Sequence, residues 1–558
     1  MAAARKGYCL GGGVGSLAAA YYMIRDGHMD PHNITIYEAL KVNGGACDGI
    51  GTAQGGYLVR GGRMLNIPAY ECLQDLMKDI PSLDTPGKTV YDEFIEFNNK
   101  IKTHSNARLV DHNRMIYNVE GMGFSMKDRT DMLALIATPE DKLGNSRITE
   151  HFQPEFFTTK FWYMWSTTFA FQPWHSAAEF RRYMLRFTHE FVRIQTLEGV
   201  ARTPYNQYDS IVLPLETKIR QLGVNFVNGT VVDDIDVRVD GEKKTCTSFT
   251  INQDGTRTVV KVEPQDIVII QNGSMCDAAT IGSHTEPARM PTEADATSFQ
   301  LWSKLSKISK DFGNPEPFFR CIPESIWQSF TVTINDDTSF FDQEIEWSHN
   351  EPGTGALVTF KDSNWMLSIV VAYQPHFRNQ PKNCQVFWGY SLFPDRIGNF
   401  VKKPMTDCTG EEILEELIGH LRFDKSTIKN AKCIPCIMPY ITAQFMTRRR
   451  EDRPLPVPKG CTNIGFTSQF VEIPDDVVFT VEYSVRAAQM AVYQLLNVKD
   501  RKIPKVNHYE RRPWYQIKAV KKAFRDSPYE KVFNFIKGVG ITAAICYGGY
   551  KLYQYYNQ

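Results

Sequence analysis

Apolar and polar positions change their rhythm several times along the chain, and each change predicts a different layer of structure. Tyr8-Cys9-Leu10 is a short apolar run suited to a buried strand, residues 17–25 continue as an amphipathic helix, and Ile34-Thr35-Ile36-Tyr37 reads as a second strand. From about 76 to 195 the pattern is helix-rich and aromatic, with Phe156-Phe157, Phe161-Trp162-Tyr163-Met164-Trp165 and Phe169-Ala170-Phe171. Such a belt is ordinary core, or the wall of an apolar tunnel. Strand-like alternation returns over 224–275, as in Val224-Asn225-Phe226-Val227 and Ile267-Val268-Ile269-Ile270. Between 290 and 440 strands and loops are mixed, including 355–360 and 365–370. Residues 462–466 then read as strand and turn, and 480–495 as a helix. The fold class expected is α/β: a doubly wound Rossmann-type domain assembled from 1–75, 196–289 and 441–500. Around it are expected a helical lid or tunnel region (76–195), an inserted mixed substrate domain (290–440) and a helical C-terminal extension (501–558).

The turn between the first strand and helix is Gly11-Gly12-Gly13-Val14-Gly15-Ser16. Glycines at 11 and 13 allow a tight turn and close approach of backbone to a pyrophosphate, whose charge the helix N-terminus favours. Ser16 stands where a third glycine usually lets helix and strand pack closely. Glu38, at the end of the second strand, is placed to accept hydrogen bonds from both ribose hydroxyls. Gly44-Gly45 follows shortly after, and a second glycine turn so near the first suits the larger FAD better than NAD. Gln271-Asn272-Gly273-Ser274 closes a later strand and is a further candidate to touch the flavin.

Length and composition refine this picture. With 558 residues, 42% of them hydrophobic, about two to four domains are expected. Sixty-three basic residues balance 63 acidic ones, which speaks against nucleic acid as a partner. Twelve scattered cysteines and an N-terminus without an apolar signal region predict a reduced, cytoplasmic-facing chain. Cys433-Ile-Pro-Cys436 has no second pair at zinc spacing, so no metal site is expected. Arg511, Arg512, Lys518, Lys521, Lys522 and Arg525 surround Trp514 and Tyr515, and 532–552 is mainly apolar yet broken by Lys537 and Lys551. That segment falls short of the roughly 20 apolar residues needed to span a bilayer and suits peripheral attachment to a membrane surface. Packing on the body, or on a second copy in a homodimer, is the alternative.

Several segments together resemble the fatty acid (oleate) hydratases, the myosin-cross-reactive antigen family, over nearly the whole chain. They are Ser16-Leu-Ala-Ala-Ala-Tyr-Tyr-Met-Ile-Arg-Asp-Gly27, Arg60-Gly61-Gly62-Arg63, Phe169-Ala-Phe-Gln-Pro-Trp-His-Ser176, Arg182-Tyr-Met-Leu-Arg-Phe187, Tyr205-Asn206-Gln207-Tyr208, Asn272-Gly273-Ser274-Met275, Gln374-Pro375-His376-Phe377 and Gln469-Phe-Val-Glu-Ile-Pro-Asp-Asp-Val-Val-Phe-Thr480. The resemblance implies an FAD-binding lyase that adds water across a cis double bond of a free unsaturated fatty acid without net redox change. It implies Tyr183 as the acid that protonates the alkene and Gln207 as an anchor of the substrate carboxylate, with Tyr205 and His376 beside the substrate. Flavin contacts carry over to Gly11, Gly13, Glu38, Gly45, Arg60, Gly61, Asn272, Gly273, Ser274, Gln469, Phe470 and Val471.

Two departures stand out. Where the family has Arg-Gly-Gly-Arg-Glu-Met-Glu, with the first Glu activating water, this chain has Arg60-Gly-Gly-Arg-Met-Leu-Asn66. A thioether cannot take a proton at neutral pH, so at Met64 the water-activating group is missing, and Asn66, a backbone carbonyl or reduced flavin are the candidates to replace it. Before Gln374, Val370 and Ala372 stand where the family tends to carry Thr and Asn. The missing carboxylate keeps two other readings open: a double-bond isomerase or other FAD-dependent lipid oxidoreductase, and a flavin-dependent lipid-binding protein without turnover.

Overall fold

Five parallel strands form the first sheet, in the order Ile464–Thr467, Ile267–Gln271, Gly7–Leu10, Ile34–Glu38, Asn225–Asn228. In this computed structural model, which describes residues 4–62 and 64–527, Gly7 lies opposite both Ile267 and Ile34, and Val268 opposite Ile464. The Gly7–Leu10 strand is buried throughout, as a parallel sheet covered on both faces requires. Segments 1–75, 196–289 and 441–500 each contribute strands to this sheet. Helices Val14–Arg25 and Val481–Leu496 pack together over it. The close approach expected at Ser16 is made at Gly15 as well. A Cβ on Gly15 would stand 2.3 Å from Thr467 Oγ1, while the Ser16 side chain fits, fully buried. Strands Val231–Asp240, Lys243–Gln253 and Thr256–Lys261 form a separate antiparallel meander.

The second sheet has seven strands, ordered Thr280–Ile281, Ala431–Met438, Trp327–Asn335, Cys384–Ser391, Leu367–Val370, Val358–Phe360, Leu109–Val110. It is antiparallel except where Val358–Phe360 meets Leu109–Val110, and two of its strands, Leu109–Val110 and Thr280–Ile281, come from outside the expected 290–440 insert. Buried threonines join it to the first domain. Backbone amides of Tyr57 and Val59, in the hairpin strand Gly56–Val59, donate to Thr333 Oγ1 (2.9 Å) and Thr331 Oγ1 (3.0 Å). Those hydroxyls satisfy donors that a crossing strand would otherwise bury unpaired.

The aromatic belt divides between two roles. Phe156, Phe161 and Trp165 are fully buried core, whereas Thr167, Thr168 and Phe169 line a cavity. At the C-terminal end, helix Pro513–Ala523 packs on the body, and the basic run is not one free face. Lys522 is buried and donates to the Glu120 carbonyl (2.9 Å), Arg525 pairs with Glu120, and Arg512 lies over the Tyr509 ring at 4.5 Å. Trp514 remains 63% exposed, with Lys518 over its ring. The apolar stretch 532–552 lies outside the described residues. Among the described residues no helix is long and apolar enough to cross a membrane, and no cluster of three potential metal ligands occurs.

Candidate functional site: three adjoining cavities

A cavity of about 440 Å³ opens over the C-terminal ends of the parallel strands, where the topology of a doubly wound sheet places ligands. Gly11, Gly13, Glu38, Gly45, Arg60, Ser274 and Gln469 all line it. Gly11 takes a left-handed φ of 109°, and helix Val14–Arg25 begins at Gly13 with no side-chain cap, leaving its first amides free for an anion. A Cβ on Gly13 would meet only the end of the Gln271 side chain, at 3.1 Å, so packing alone does not demand glycine there. Glu38 accepts from the Gly12 amide (2.6 Å) and the Leu40 amide (2.8 Å), one on each oxygen, which leaves further lone pairs toward the cavity. Burial raises its pKa above the usual carboxylate value. Arg60 pairs with Asp48 through Nε (2.8 Å), while its buried Nη1 has no partner. An uncapped helix start, an acid at the strand end and an orphaned cationic nitrogen together fit a dinucleotide diphosphate such as that of FAD.

Five residues expected to touch the flavin do not line this cavity. Gly61 faces the second cavity instead. Asn272, Gly273, Phe470 and Val471 stand one layer back. Asn272 donates its amide to the Phe470 carbonyl (3.3 Å), and the Val471 carbonyl accepts from Tyr483 (2.7 Å). Phe470 is buried against Phe299, Trp302 and Phe318, leaving 2.9 Å between its ring and a Cβ built on Gly273. These residues shape the wall through their packing.

A second cavity, about 90 Å³, shares Phe479, Thr480 and Val481 with the first. Phe479 holds a left-handed φ of 69°, a strained conformation for a bulky residue, fixed by its amide on Gln469 Oε1 (2.5 Å) and by its ring against Trp327 and Phe445. Tyr183, Met64, Asn66 and Glu190 line this cavity among mostly apolar neighbours. Tyr183 sits on helix Ala177–Arg186, N-capped by Ser176, and donates its hydroxyl to the Val478 carbonyl. Burial raises its pKa well above 10, so the proton stays on at neutral pH. The flanking Arg182 and Arg186 pair with Glu472 (2.6 Å) and Asp476 (3.1 Å), both on the loop that carries Val478. Arg448 and Arg486 close the same buried network from the other side.

Asn66 is not free to orient water. Its Nδ2 donates to Glu190 Oε1 (2.7 Å) and its Oδ1 contacts His189 Nε2 (3.1 Å). Glu190, held also by Arg193 (2.6 Å), is the carboxylate that borders the cavity. Sequence reasoning missed it, because nothing in the local run Thr188-His189-Glu190-Phe191 separates a cavity-lining glutamate from a surface one. Tyr205, Gln207 and His376 gather in a third cavity of about 20 Å³, which shares Gly62 and Trp388 with the second. A Cβ on Gly62 would lie 2.2 Å from Trp388 Cζ2, so the partition there is one ring thick. Gln207 precedes a π-helical turn, Tyr208–Val212, and donates to the Gly61 carbonyl (3.1 Å). Val370 is buried in its strand, and Ala372 lines the third cavity.

Comparison with known proteins identifies the family. Residues 4–493 match the MCRA family. The chain is 37% identical over 534 residues to an oleate hydratase of Streptococcus pyogenes serotype M49 (strain NZ131), covering 93% of this chain and 89% of that protein. It is 38% identical over 570 residues to a linoleate hydratase of Lactiplantibacillus plantarum, covering 93% and 98%. Among solved structures, wild-type putrescine oxidase bound to putrescine superimposes with a TM-score of 0.50 at 12% identity, over 88% of this chain and 99% of that one, a likeness of fold.

Proposed function

The chain belongs to the MCRA family, and from that premise we propose that it is a fatty acid hydratase, adding water across a cis double bond of a free unsaturated fatty acid. The observation that supports this reading most directly is the pair Tyr183 and Glu190 on one mostly apolar cavity, which shares Phe479, Thr480 and Val481 with the dinucleotide cavity. FAD would be held by the Gly11 to Gly15 turn, Glu38, Arg60, Ser274 and Gln469. Its contribution when bound is electrostatic, with no net electron transfer.

The chain's own groups then divide the reaction. Tyr183 delivers its proton to one alkene carbon, and the water oxygen bonds to the other. The proton released from that water passes to Glu190, which gives it up to solvent as Tyr183 takes one back, so both groups return to their starting state and the net change is one water added. Glu190 replaces the family glutamate that Met64 displaces, and Asn66 and Arg193 position it. Exposed Trp514 and Lys518 are the groups of helix Pro513–Ala523 that suit a bilayer surface, from which an insoluble substrate would be drawn.

Incubating the FAD-loaded protein with oleic and linoleic acids in ¹⁸O-water tests the proposal. Products heavier by one labelled water are expected. Unchanged mass with a shifted double bond would select an isomerase instead, and tight binding without any product a lipid-binding protein.

A further inference from the structure

The third cavity holds a cation without an anion. Arg202 lines it with Gln207, Ala372 and His376. Its main chain is fixed by Asn98, which accepts from the Arg202 amide (2.9 Å) and donates to its carbonyl (2.7 Å). Its guanidinium donates from Nη2 to the Ala356 carbonyl (3.0 Å), and its Nε is enclosed and finds no acceptor. Among the described residues no carboxylate pairs with it. Burial accordingly pushes Arg202 down to about 10, with no acid to offset the loss of hydration. A guanidinium held this way is costly for the folded chain unless an anion reaches it.

The surroundings indicate which anion. His376 is buried beside Arg202, its Nε2 also has no partner, and burial together with the Arg202 charge pushes its pKa down to about 3. It is therefore a neutral ring at physiological pH and a second hydrogen-bonding group, not a second cation. A cavity of about 20 Å³ admits only one or two water-sized groups, the size of a carboxylate's oxygens. On the other side of Gly62 and the Trp388 ring lies the mostly apolar second cavity, which Tyr183 lines. One polar end with one charge, followed by an apolar run, matches a fatty acid held by its head.

We propose that Arg202 is the cation that binds the substrate's carboxylate in this chain, restricting it to free acids and setting how far along the acyl chain Tyr183 reaches. The inference deepens the hydratase reading and rests on it for the identity of the substrate. It also bears on Ala372, which lines this cavity where the family tends to carry a polar residue, while a charged group lines the same cavity.

The test compares oleic acid with methyl oleate, which has the same chain without the charge. Calorimetric binding to the FAD-loaded wild type, Arg202→Met and Arg202→Lys is measured along with KM, kcat and melting temperature. Charge-assisted hydrogen bonds of this kind predict that Arg202→Met weakens oleic acid by about 10- to 100-fold and methyl oleate by less than about 3-fold. Arg202→Lys should retain part of the affinity, since it keeps the charge but not the planar fork. Melting temperature should hold or rise in Arg202→Met, because a half-buried charge with no carboxylate partner and an enclosed, unpartnered Nε has been removed. Equal affinity of the wild type for acid and ester would overturn the assignment. So would a parallel loss for both ligands with lowered melting temperature, which is the signature of a structural role through Ala356. If the wild type prefers the acid but forms no hydroxy acid, the hydratase reading fails and the anchor stands. Hydroxylated product from acid and ester with equal KM would leave hydration standing and remove the anchor.

Discussion

Replacing Tyr183 with phenylalanine removes one oxygen from a side chain that is 1% exposed and keeps the ring that packs against Phe169, Phe171 and Phe445. The structural cost is the hydrogen bond to the Val478 carbonyl, which is left buried and unpaired: about 1–3 kcal/mol. The flanking ion pairs of Arg182 and Arg186 do not involve the hydroxyl, so helix and loop should stay docked and FAD content should be unchanged. The catalytic cost is of another size. Losing a general acid slows turnover by about 100- to 10,000-fold, equivalent to roughly 2.7–5.4 kcal/mol of barrier. Because burial raises the Tyr183 pKa well above 10, wild-type activity should show no alkaline loss from this group below pH 9. Single-turnover hydration of oleic acid, followed by mass spectrometry, measures the rate, and calorimetry measures binding. Tyr183→Phe at a rate within about 3-fold of wild type, with substrate still bound, would return Tyr183 to the core and leave the acid unassigned.

Gly13→Val should abolish flavin binding and the yellow colour of the purified protein while leaving a folded chain, since little but the Gln271 side chain lies near the new Cβ; full FAD content would contradict the phosphate cradle. Met64→Glu puts a second carboxylate on the cavity that Glu190 borders and should raise the hydration rate of oleic acid; an unchanged rate would place residue 64 away from the reacting carbons. His175, His189 and His376 are held neutral by burial, at about 3, 4 and 3, so the unfolded chain takes up protons below about pH 6.5 that the folded one refuses. Stability should fall as pH drops from about 6.5 toward 4, each histidine adding up to about 1.4 kcal/mol per pH unit; a flat melting temperature from pH 7.5 to 5 would count against this. Truncation after Ser527 should lower liposome binding and spare activity on dispersed substrate, whereas truncation after Asn507 should also lower the melting temperature, because it strips Tyr509 from the His189 ring at 4.2 Å; equal melting of both forms would show that 508–527 do not brace the site.

The nucleotide half of the site was legible because its chemistry is local. Strand, glycine turn, helix and Glu38 occupy one continuous stretch, and each element has a residue-type requirement visible in the letters. The flavin contacts beyond it were less so: Ser274 and Gln469 reach the cavity, while their neighbours Asn272, Gly273, Phe470 and Val471 turn away. Adjacent residues in a tight turn point in different directions, and which one faces the ligand depends on packing such as that of Phe470 on Phe299. Arg202 lies a few residues before Gln207 in the sequence yet was invisible as a ligand, since an arginine in a loop is ordinarily solvated. Only the absence of a partner in three dimensions makes it informative.

Met64 and Asn66 show the same limit from the other side. Sequence reasoning took the loss of a carboxylate at 64 as the loss of the group's function and looked nearby for a replacement. Asn66 was close in sequence, but its amide is consumed by Glu190 and His189, and the carboxylate that borders the cavity comes from a different segment. The loop bearing Val478 and Phe479 ties these pieces together. Glu472 and Asp476 fix it to the two arginines flanking Tyr183, its Val478 carbonyl receives the Tyr183 hydroxyl, and its Phe479 lines both the second cavity and the dinucleotide cavity. Breaking one of these ion pairs would leave a buried charge at a cost of about 3–5 kcal/mol, so the loop has little freedom to move independently of the acid. A cofactor filling the first cavity therefore bears on the position of Tyr183 through the shared wall, which gives a flavin a use in a reaction that transfers no electrons.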